Sequence, residues 1–311
     1  MTSKGPERPK KIRFDPPAAA SVAAIRTSGQ QVPLFEDLYH KVLSMPWWRF
    51  FAYTAGAWVG INLIFAVVYA AAPGSVSGAR PGDLEDAFYF SVQTLATIGY
   101  GAMAPATRFG HLVVVVEALV GTLGVAIVTG VTFAKFARPT ARILFAAKAV
   151  VHLRDGVPHL LFRLANWRGN MVVEGQLRVL LLVLQKTREG DVIRMPLELP
   201  LVRDRTALFA LTWTPMHRID ASSPFHGGET GLAQLREQQA EIFLAFTGVD
   251  ETIGQQIHAR YRYKLDDVVY NARFTDVLTL EPDGTRVIDY GPFHDVEILG
   301  KPEDLPWDST P

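Results

Sequence analysis

The sequence predicts a membrane protein with two transmembrane helices, a short re-entrant helix between them and a C-terminal all-β domain. Three observations lead to this fold class. Two long apolar stretches are separated by a loop, the loop holds a short apolar run followed by Thr-Ile-Gly-Tyr-Gly at 97–101, and short strand-like segments begin after Val150. A mean hydropathy of +0.13 is high for a soluble chain, and it reflects the two apolar stretches.

Composition excludes several classes of function. The chain has 31 basic and 31 acidic residues, so its zero formal net charge gives no indication of a nucleic-acid partner. It contains no cysteine, which excludes disulfides, thiol nucleophiles and Cys-based zinc sites. The motifs H-E-x-x-H, G-x-S-x-G and G-x-G-x-x-G are absent. We therefore expect no enzyme activity and no cofactor.

The N-terminal part of the chain contains a tail and an amphipathic segment. The segment 1–32 is basic and rich in Pro, Ala and Ser, without the apolar core of a signal peptide, so we expect a disordered cytoplasmic tail. In the segment 33–46, Leu34, Leu38 and Val42 recur at helical spacing. This predicts an amphipathic helix on the inner membrane surface, with a soluble helix packed on the C-terminal domain as the alternative.

Two segments, 50–72 and 112–136, are long and apolar enough to span a bilayer. The first has no formal charge, and at about 1.5 Å per residue it covers a hydrocarbon core of roughly 30 Å. Trp47 and Trp48 precede it as interfacial anchors. The second carries a single acid, Glu117, before its C-terminal end. We expect a pore domain over 47–138.

Basic residues flank the two spans and are scarce between them. The intervening loop contains only Arg80 and Arg108, whereas the flanking bases are Lys4, Arg8, Lys10, Lys11, Arg13, Arg26, Lys41, Arg49, Lys135, Arg138, Arg142 and Lys148. Because cytoplasmic flanks carry the excess of Lys and Arg, both termini are predicted to lie in the cytoplasm. An even number of spans agrees with this orientation.

The loop between the spans predicts a pore helix over 86–97 and an extended segment over 97–101. Acids precede the apolar run and favour a helix start, and the helix is too short to span. Gly99 and Gly101 flank Tyr100, so the backbone is free to take conformations closed to residues with a Cβ atom. Non-helical backbone at this depth is tolerated where it lines a water-filled path. An ordinary Gly-rich turn is the alternative.

If four copies of the segment 97–101 surround one axis, their carbonyl oxygens form stacked rings that replace the water shell of a potassium ion. The predicted filter residues are Thr97, Ile98, Gly99, Tyr100 and Gly101. One chain supplies one strand, so the interpretation requires a homotetramer.

The C-terminal part, 139–300, is predicted to be a β-sandwich with regulatory function, followed by a tail at 301–311. Strand-like segments recur at Met171–Val173, Leu177–Leu184, Leu208–Trp213, Ile242–Thr247 and Asp276–Leu280. Residues 281–284 read Glu-Pro-Asp-Gly, a hairpin-turn signal, and residues 230–239 are typical of a short helix.

Four segments resemble the prokaryotic inward-rectifier (KirBac) family of potassium channels. Phe88–Thr94 is similar to its pore helix and Phe133–Pro139 to its junction with the cytoplasmic domain, while Arg163–Asn166 and Leu211–Asp220 are similar to motifs of that domain. The resemblance implies a homotetramer in the bacterial inner membrane that conducts K⁺ and binds no other metal. It also implies a slide helix at 33–46, an immunoglobulin-like cytoplasmic sandwich and regulation by anionic lipids, including phosphoinositides.

The resemblance and the residue pattern together assign candidate roles. They are filter support for Gln93 and Glu117, gate or cavity for Gly121, Val125, Thr129 and Phe133, lipid contact for Arg49, Lys135, Arg138, Arg142 and Lys148, and cytoplasmic pore for Glu174. Close helix packing is the alternative for Gly121, lipid-facing or core packing for Phe133, topology fixing for the bases and an ordinary surface position for Glu174. Gln93 stands where many eukaryotic members carry an acid.

The rival function is a membrane-anchored β-sandwich sensor or adaptor that does not conduct. It accounts for two spans and a soluble domain. It does not account for a Gly-rich segment at 97–101 directly after a re-entrant helix.

Overall fold

The computed structural model describes residues 10–15, 38–280 and 286–307, and the chain divides into two compact units. The pore unit comprises Thr27–Arg138. The sandwich unit combines Met1–Arg26 with Pro139–Pro311.

Within its described residues, 38–138, the pore unit consists of four helices and a two-stranded ribbon. These are α1 (Leu38–Ser44), α2 (Trp47–Ala70), β2 (Val76–Ser77), α3 (Leu84–Leu95), β3 (Ala104–Pro105) and α4 (Arg108–Phe136). Helices α2 and α4 are long and apolar enough to cross a membrane, and few of their side chains are buried within the chain. The prediction of two spans around a re-entrant helix is confirmed, with span boundaries shifted by at most four residues.

Side-chain caps begin both helices that follow the first span. The Asp83 carboxylate accepts a hydrogen bond from the Asp86 amide at 3.0 Å, and the Thr107 hydroxyl accepts one from the Gly110 amide at 3.0 Å. Such caps satisfy amides that have no partner inside the helix. The pore helix consequently starts at Leu84 rather than at 86, and it ends at Leu95, two residues before the predicted end.

Arg80 clamps the loop onto the start of α3. Its guanidinium reaches both carboxylate oxygens of Asp86, from Nε at 2.9 Å and from Nη2 at 3.0 Å, and it lies 3.1 Å from Asp83. These hydrogen bonds from Arg80 lower the pKa of Asp86 to about 2. The clamp holds two acids at the N-terminal, positive end of the helix dipole.

The N-terminal segments differ in part from the prediction. Of the amphipathic helix expected at 33–46, residues up to 37 lie outside the described part and residues 38–44 form α1, with Leu38 and Tyr39 more than half exposed. Lys10–Ile12 forms strand β1, which corrects the expectation of disorder at these positions. The reason is packing, because Ile12 and Phe14 contact a buried apolar cluster of the sandwich unit.

In the described part of the sandwich unit lie the remaining strands and one α-helix. The strands are β4 (Ile143–Phe145), β5 (Ala149–Arg154), β6 (Val157–Leu161), β7 (Leu164–Asn166), β8 (Val172–Lys186), β9 (Val192–Leu199), β10 (Arg205–Phe209), β11 (Thr212–Trp213), β12 (Met216–Arg218), β13 (Glu241–Asp250), β14 (Gln255–Lys264), β15 (Val268–Tyr270), β16 (Ala272–Phe274), β17 (Leu278–Leu280), β18 (Arg286–Ile288) and β19 (Val296–Ile298). Helix α5 (Gly228–Glu237) lies between β12 and β13, two residues before its predicted position.

Two sheets cover one apolar core. One sheet has the order β10-β8-β13-β14 with β9 also paired to β8, and the other has the order β12-β6-β5-β15. Along β13 buried and half-buried residues alternate without interruption, as expected for a strand with one face in a core. Side chains of both sheets, including Leu181, Leu244 and Leu160, meet in the same cluster. The prediction of an all-β sandwich is confirmed.

The C-terminal end contributes to this core. Within the predicted tail at 301–311, Pro302–Asp304 forms a 3₁₀ turn and Leu305 is buried in the sandwich core. Trp307 lies 5.9 Å from Tyr270, ring to ring. The predicted turn at 281–284 lies outside the described residues, but the strands that flank it, β17 and β18, pair with each other.

The Arg80 clamp predicts an acid-dependent contribution to stability. Because the pKa of Asp86 is lowered from 3.8 to about 2, the contribution is present above pH 3.8 and is lost as pH falls toward about 2. We expect Arg80→Gln to lower the thermal midpoint of the detergent-solubilised protein at neutral pH, and the gap to wild type to close over that range. Arg178→Gln, which removes an exposed pair with Glu198, is the control and should have the smaller effect. A gap that persists unchanged at pH 2 contradicts the assignment.

Candidate ion pathway

Along residues 97–101 the backbone alternates between positive and negative φ, that is, between left-handed and right-handed conformations. Thr97, Gly99 and Gly101 have φ values of 55°, 61° and 80°, and the residues between them have negative φ. In an ordinary strand successive carbonyl groups point in opposite directions. Alternation between left- and right-handed conformations turns every second peptide, so that successive carbonyl oxygens face one side. Glycine takes the left-handed conformation without steric cost, whereas Thr97 is held there by its surroundings.

Hydrogen bonds from the end of α3 hold this segment. The carbonyl of Gln93 accepts the amides of Ile98 at 2.8 Å and Gly99 at 3.3 Å, and the carbonyl of Thr94 accepts the amide of Thr97 at 3.1 Å. In the described part of the chain no backbone amide donates to the carbonyls of 97–101. The first three amides of the segment are therefore satisfied by the helix, and the carbonyls are left for another partner.

The end of α3 adds to the electrostatics of the segment. A helix carries partial negative charge at its C-terminal end, and α3 ends at Leu95, two residues before Thr97. Ile98 is 44% and Tyr100 is 74% exposed in the single chain. The negative end of α3 and the free carbonyls favour a cation on the carbonyl side of the segment. The side chains of Ile98 and Tyr100 are left exposed to solvent in the single chain.

A buried polar cluster joins α3 to both spans. Glu117 of α4 is fully buried, and it accepts a hydrogen bond from the Tyr69 hydroxyl at 2.6 Å and lies 2.5 Å from the Ser91 hydroxyl. Ser91 of α3 also lies 3.1 Å from the side-chain oxygen of Asn62, which is fully buried on α2. Glu117 thus contacts the pore helix and not the 97–101 carbonyls.

Sequence reasoning found Glu117 but missed the other three members of the cluster, Tyr69, Ser91 and Asn62. Asn62 was detectable, because a polar side chain in the middle of an uncharged span has a specific reason to be there. Ser91 and Tyr69 carry no comparable signal, since hydroxyl residues are common in apolar helices.

Gln93 lines an uncharged cavity behind the 97–101 segment. The cavity has a volume of about 360 Å³, and its walls include Thr94, Thr97 and Met103. None of the residues that line it is charged. Support from this side is therefore polar and apolar rather than ionic.

Comparisons with known proteins agree with this geometry. A family model for the inward rectifier potassium channel C-terminal domain matches residues 143–305, and an ion channel model matches residues 48–138. The chain is 40% identical to the inward rectifier potassium channel Kirbac3.1 of Paramagnetospirillum magnetotacticum, over 84% of this chain and 88% of that protein. The chain belongs to the inward rectifier potassium channel family.

Animal members of the family match as well. The chain is 34% identical to the human G protein-activated inward rectifier potassium channel 3 over 67% of this chain, and 30% identical to channel 1 of Bos taurus over 83%. It spans 55% of the length of each of these two relatives. The matched families are membrane-embedded ion channels and not enzymes, and the sequence-based resemblance is confirmed.

Gly121 is where α4 of this channel-family protein passes the pore helix. A Cβ atom at this position would lie 2.7 Å from the carbonyl oxygen of Leu95 and 3.2 Å from its Cδ1. Helix α4 continues without interruption through Gly121. Of the two sequence-based alternatives, hinge and close packing, the contact with Leu95 favours close packing.

The predicted gate residues do not share one face of α4. A step of four residues turns a helix by about 40° beyond a full turn, so Glu117 and Phe133 differ in direction by roughly 160°. Glu117 and Gly121 are buried within the pore unit, whereas Val125 and Phe133 are 65% and 73% exposed and Thr129 is also exposed. The first two support the pore helix, and the last three form a separate exposed row.

Lys135, predicted to contact lipid, makes several contacts within the pore unit. Its ammonium donates to the carbonyls of Val42 and Leu43 at 3.4 and 3.1 Å, and to that of Met45. It also lies 5.1 Å from the centre of the Trp47 ring. A cation on the last carbonyls of α1 stabilises that helix end, so Lys135 fastens α1 to the C-terminal end of α4.

The other four predicted lipid-contacting bases differ in availability. Lys148 is paired with Asp267 at 2.6 Å and lies over the Phe14 ring, so its charge is already matched within the sandwich unit. Arg49, Arg138 and Arg142 are exposed. Only these three retain the accessibility that lipid contact requires.

Glu174 lies exposed at an irregularity of strand β8. Its φ is 52°, and the register between β8 and β13 shifts between Thr247 and Val249. Such bulges bend a strand and redirect a side chain. The bulge presents the Glu174 carboxylate to solvent.

The contact at Gly121 predicts a position-specific effect of a methyl group. Gly121→Ala should destabilise the protein by about 1–3 kcal/mol, because the backbone of Leu95 has to move. Gly124→Ala on the same helix is the matched control, since no atom lies within 4 Å of its Cβ position, and it should be neutral or stabilising by up to about 1 kcal/mol. Thermal unfolding of both variants checks this, and equal midpoints would refute the packing role.

Proposed function

We propose that the chain forms a homotetrameric, potassium-selective channel of the inward-rectifier type, in which residues 97–101 of four copies line one filter. The observation that carries this proposal is the alternating sign of φ at Thr97, Gly99 and Gly101 directly after the end of α3. This backbone offers a row of carbonyl oxygens on one side. The Thr97 hydroxyl extends the row at its inner end.

The need for four copies follows from the geometry of ion coordination. One strand offers oxygens from one direction, whereas an ion stripped of water needs oxygens around it. The exposure of Ile98 and Tyr100 supports the same conclusion, because large apolar side chains beside a filter require cover. Copies arranged around an axis supply both the remaining oxygens and the cover.

The exposed row on α4 supports a gate. In a tetramer the row formed by Val125, Thr129 and Phe133 faces the axis below the filter. Four Phe133 rings near the cytoplasmic end close the path by excluding water. Val125 places no charge in the cavity, so strong block by cationic polyamines is not expected there.

The proposed channel has a defined orientation in the membrane and is regulated by lipid. Both termini lie in the cytoplasm, in the bacterial inner membrane, because the bases flank the spans. Arg49, Arg138 and Arg142 bind anionic headgroups, including those of phosphoinositides, at the inner leaflet. The sandwich transmits lipid or ligand state to the gate, and Glu174 lines the cytoplasmic part of the pore.

Ion flux into liposomes tests the proposed function. We expect barium-sensitive uptake of rubidium and potassium, and little uptake of sodium, by the reconstituted wild type. Gly99→Ala should abolish uptake, because an alanine at φ 61° strains the backbone. Gly56→Ala, at a helical position with no atom within 4 Å of the added Cβ, should conduct. A purified wild-type tetramer without flux under varied lipid and pH would instead support a non-conducting sensor or adaptor.

Removal of the proposed gate ring should raise flux. Phe133→Ala is expected to increase open probability severalfold, because four small side chains no longer exclude water from the path. The control is Phe109→Ala, which removes an exposed ring at the other end of the same helix. Single-channel recording distinguishes the two variants, and an unchanged open probability in Phe133→Ala removes this residue as the gate.

A further inference from the structure

The hydrogen bonds around Glu117 need one more hydrogen than its neighbours supply. Three short contacts link four side chains: Tyr69 to Glu117 at 2.6 Å, Glu117 to Ser91 at 2.5 Å, and Ser91 to Asn62 at 3.1 Å. Tyr69 and Ser91 each own one hydroxyl hydrogen, whereas an ionised carboxylate and an amide oxygen only accept. Two hydrogens cannot serve three contacts.

We propose that Glu117 carries the missing hydrogen and acts as a neutral donor that positions the pore helix. With a hydrogen on Oε1, Glu117 donates to Ser91, Ser91 donates to the Asn62 oxygen, and Tyr69 donates to Oε2. Each of the three contacts then has one donor hydrogen and one acceptor oxygen, and no two buried acceptors face each other without a hydrogen between them.

The orientation of the Asn62 amide excludes the alternative. If Ser91 donated to an ionised Glu117, its oxygen would need a donor from Asn62, which requires rotating the amide by a half-turn. The Asn62 nitrogen, however, donates to the carbonyl of Trp58 at 2.7 Å. Rotation would bring the Asn62 oxygen to the same distance from the Trp58 carbonyl oxygen, and two buried acceptors in contact with no hydrogen between them are unfavourable.

The surroundings of Glu117 agree with a neutral group. Asn62, Ser91 and Glu117 are fully buried, and Tyr69 is 2% exposed. The side chains that hydrogen-bond in this cluster besides Glu117 come from α2 and α3 and are uncharged. Glu117 takes part in none of the ion pairs seen within residues 10–15, 38–280 and 286–307. A buried charge without a partner is strongly disfavoured.

The cluster fixes α3 at one point against both spans. Ser91 lies two residues before Gln93, whose carbonyl holds the amides of Ile98 and Gly99. One turn further along α4, Gly121 contacts the carbonyl of Leu95. The hydrogen bond that Glu117 donates to Ser91 therefore fixes the end of α3, from which the segment 97–101 continues. This consequence for conduction rests on the proposed function, whereas the hydrogen itself does not.

Infrared difference spectroscopy tests the hydrogen directly. The spectrum of the purified wild-type protein minus that of Glu117→Gln should contain the C=O stretch of one protonated carboxyl group. A carboxylate stretch in its place would show an ionised Glu117 and overturn the inference. Because this readout does not involve conduction, it separates the inference from the proposed channel function, whose failure shows as a wild type without rubidium flux.

Flux through three variants tests the positioning role. Glu117→Gln keeps an acceptor for Tyr69 and a donor for Ser91, so it should conduct at least about tenfold better than Glu117→Leu, which leaves the Tyr69 hydroxyl without an acceptor and the Ser91 oxygen without a donor. Ser91→Ala should resemble Glu117→Leu. Thr54→Val, which removes a hydroxyl bonded within α2, is the control for loss of a helix hydroxyl and should conduct like wild type. Gln and Leu variants that form tetramers and conduct equally poorly would refute the donor role.

Discussion

The carbonyl of Gln93 accepts hydrogen bonds from the amides of Ile98 and Gly99. The conformation of the segment 97–101 therefore depends on the contacts that hold the end of α3 in position. Non-helical backbone inside a membrane is stable only if its polar groups are satisfied. Here one end of a helix satisfies the amides of residues 97–99 and leaves a row of carbonyls facing away. The alternation of φ at Thr97, Gly99 and Gly101 follows from this division.

The helix that bears Gln93 is held at three points. Its start is fixed by the Asp83 cap and the Arg80 clamp, its middle by the contact between Ser91 and Glu117, and its end by the close approach of Gly121 to Leu95. The first contact comes from the loop, and the other two come from the second span, α4. A change at any one of them therefore reaches the proposed filter through the same short helix.

Apolar length and glycine placement made the main architecture predictable, because both act locally along the chain. The two spans, the re-entrant helix and the strand-rich C-terminal domain follow from such local patterns. The role of Lys135 was not predictable, since its carbonyl partners lie on α1, far away in sequence. The burial of Ile12 and Leu305 was not predictable for a similar reason. Each lies in a polar, proline-containing terminal segment, and its contacts with the sandwich core come from residues distant in sequence.

The central claim is that four 97–101 segments surround a cation with backbone oxygens. Anomalous diffraction from crystals of the protein grown in rubidium tests it most directly. The account predicts a tetramer with a fourfold axis and ordered rubidium ions on that axis, enclosed by carbonyl oxygens of Thr97–Gly101 from four chains. An assembly without a fourfold axis, or an axis without ordered cations at this level, would contradict it.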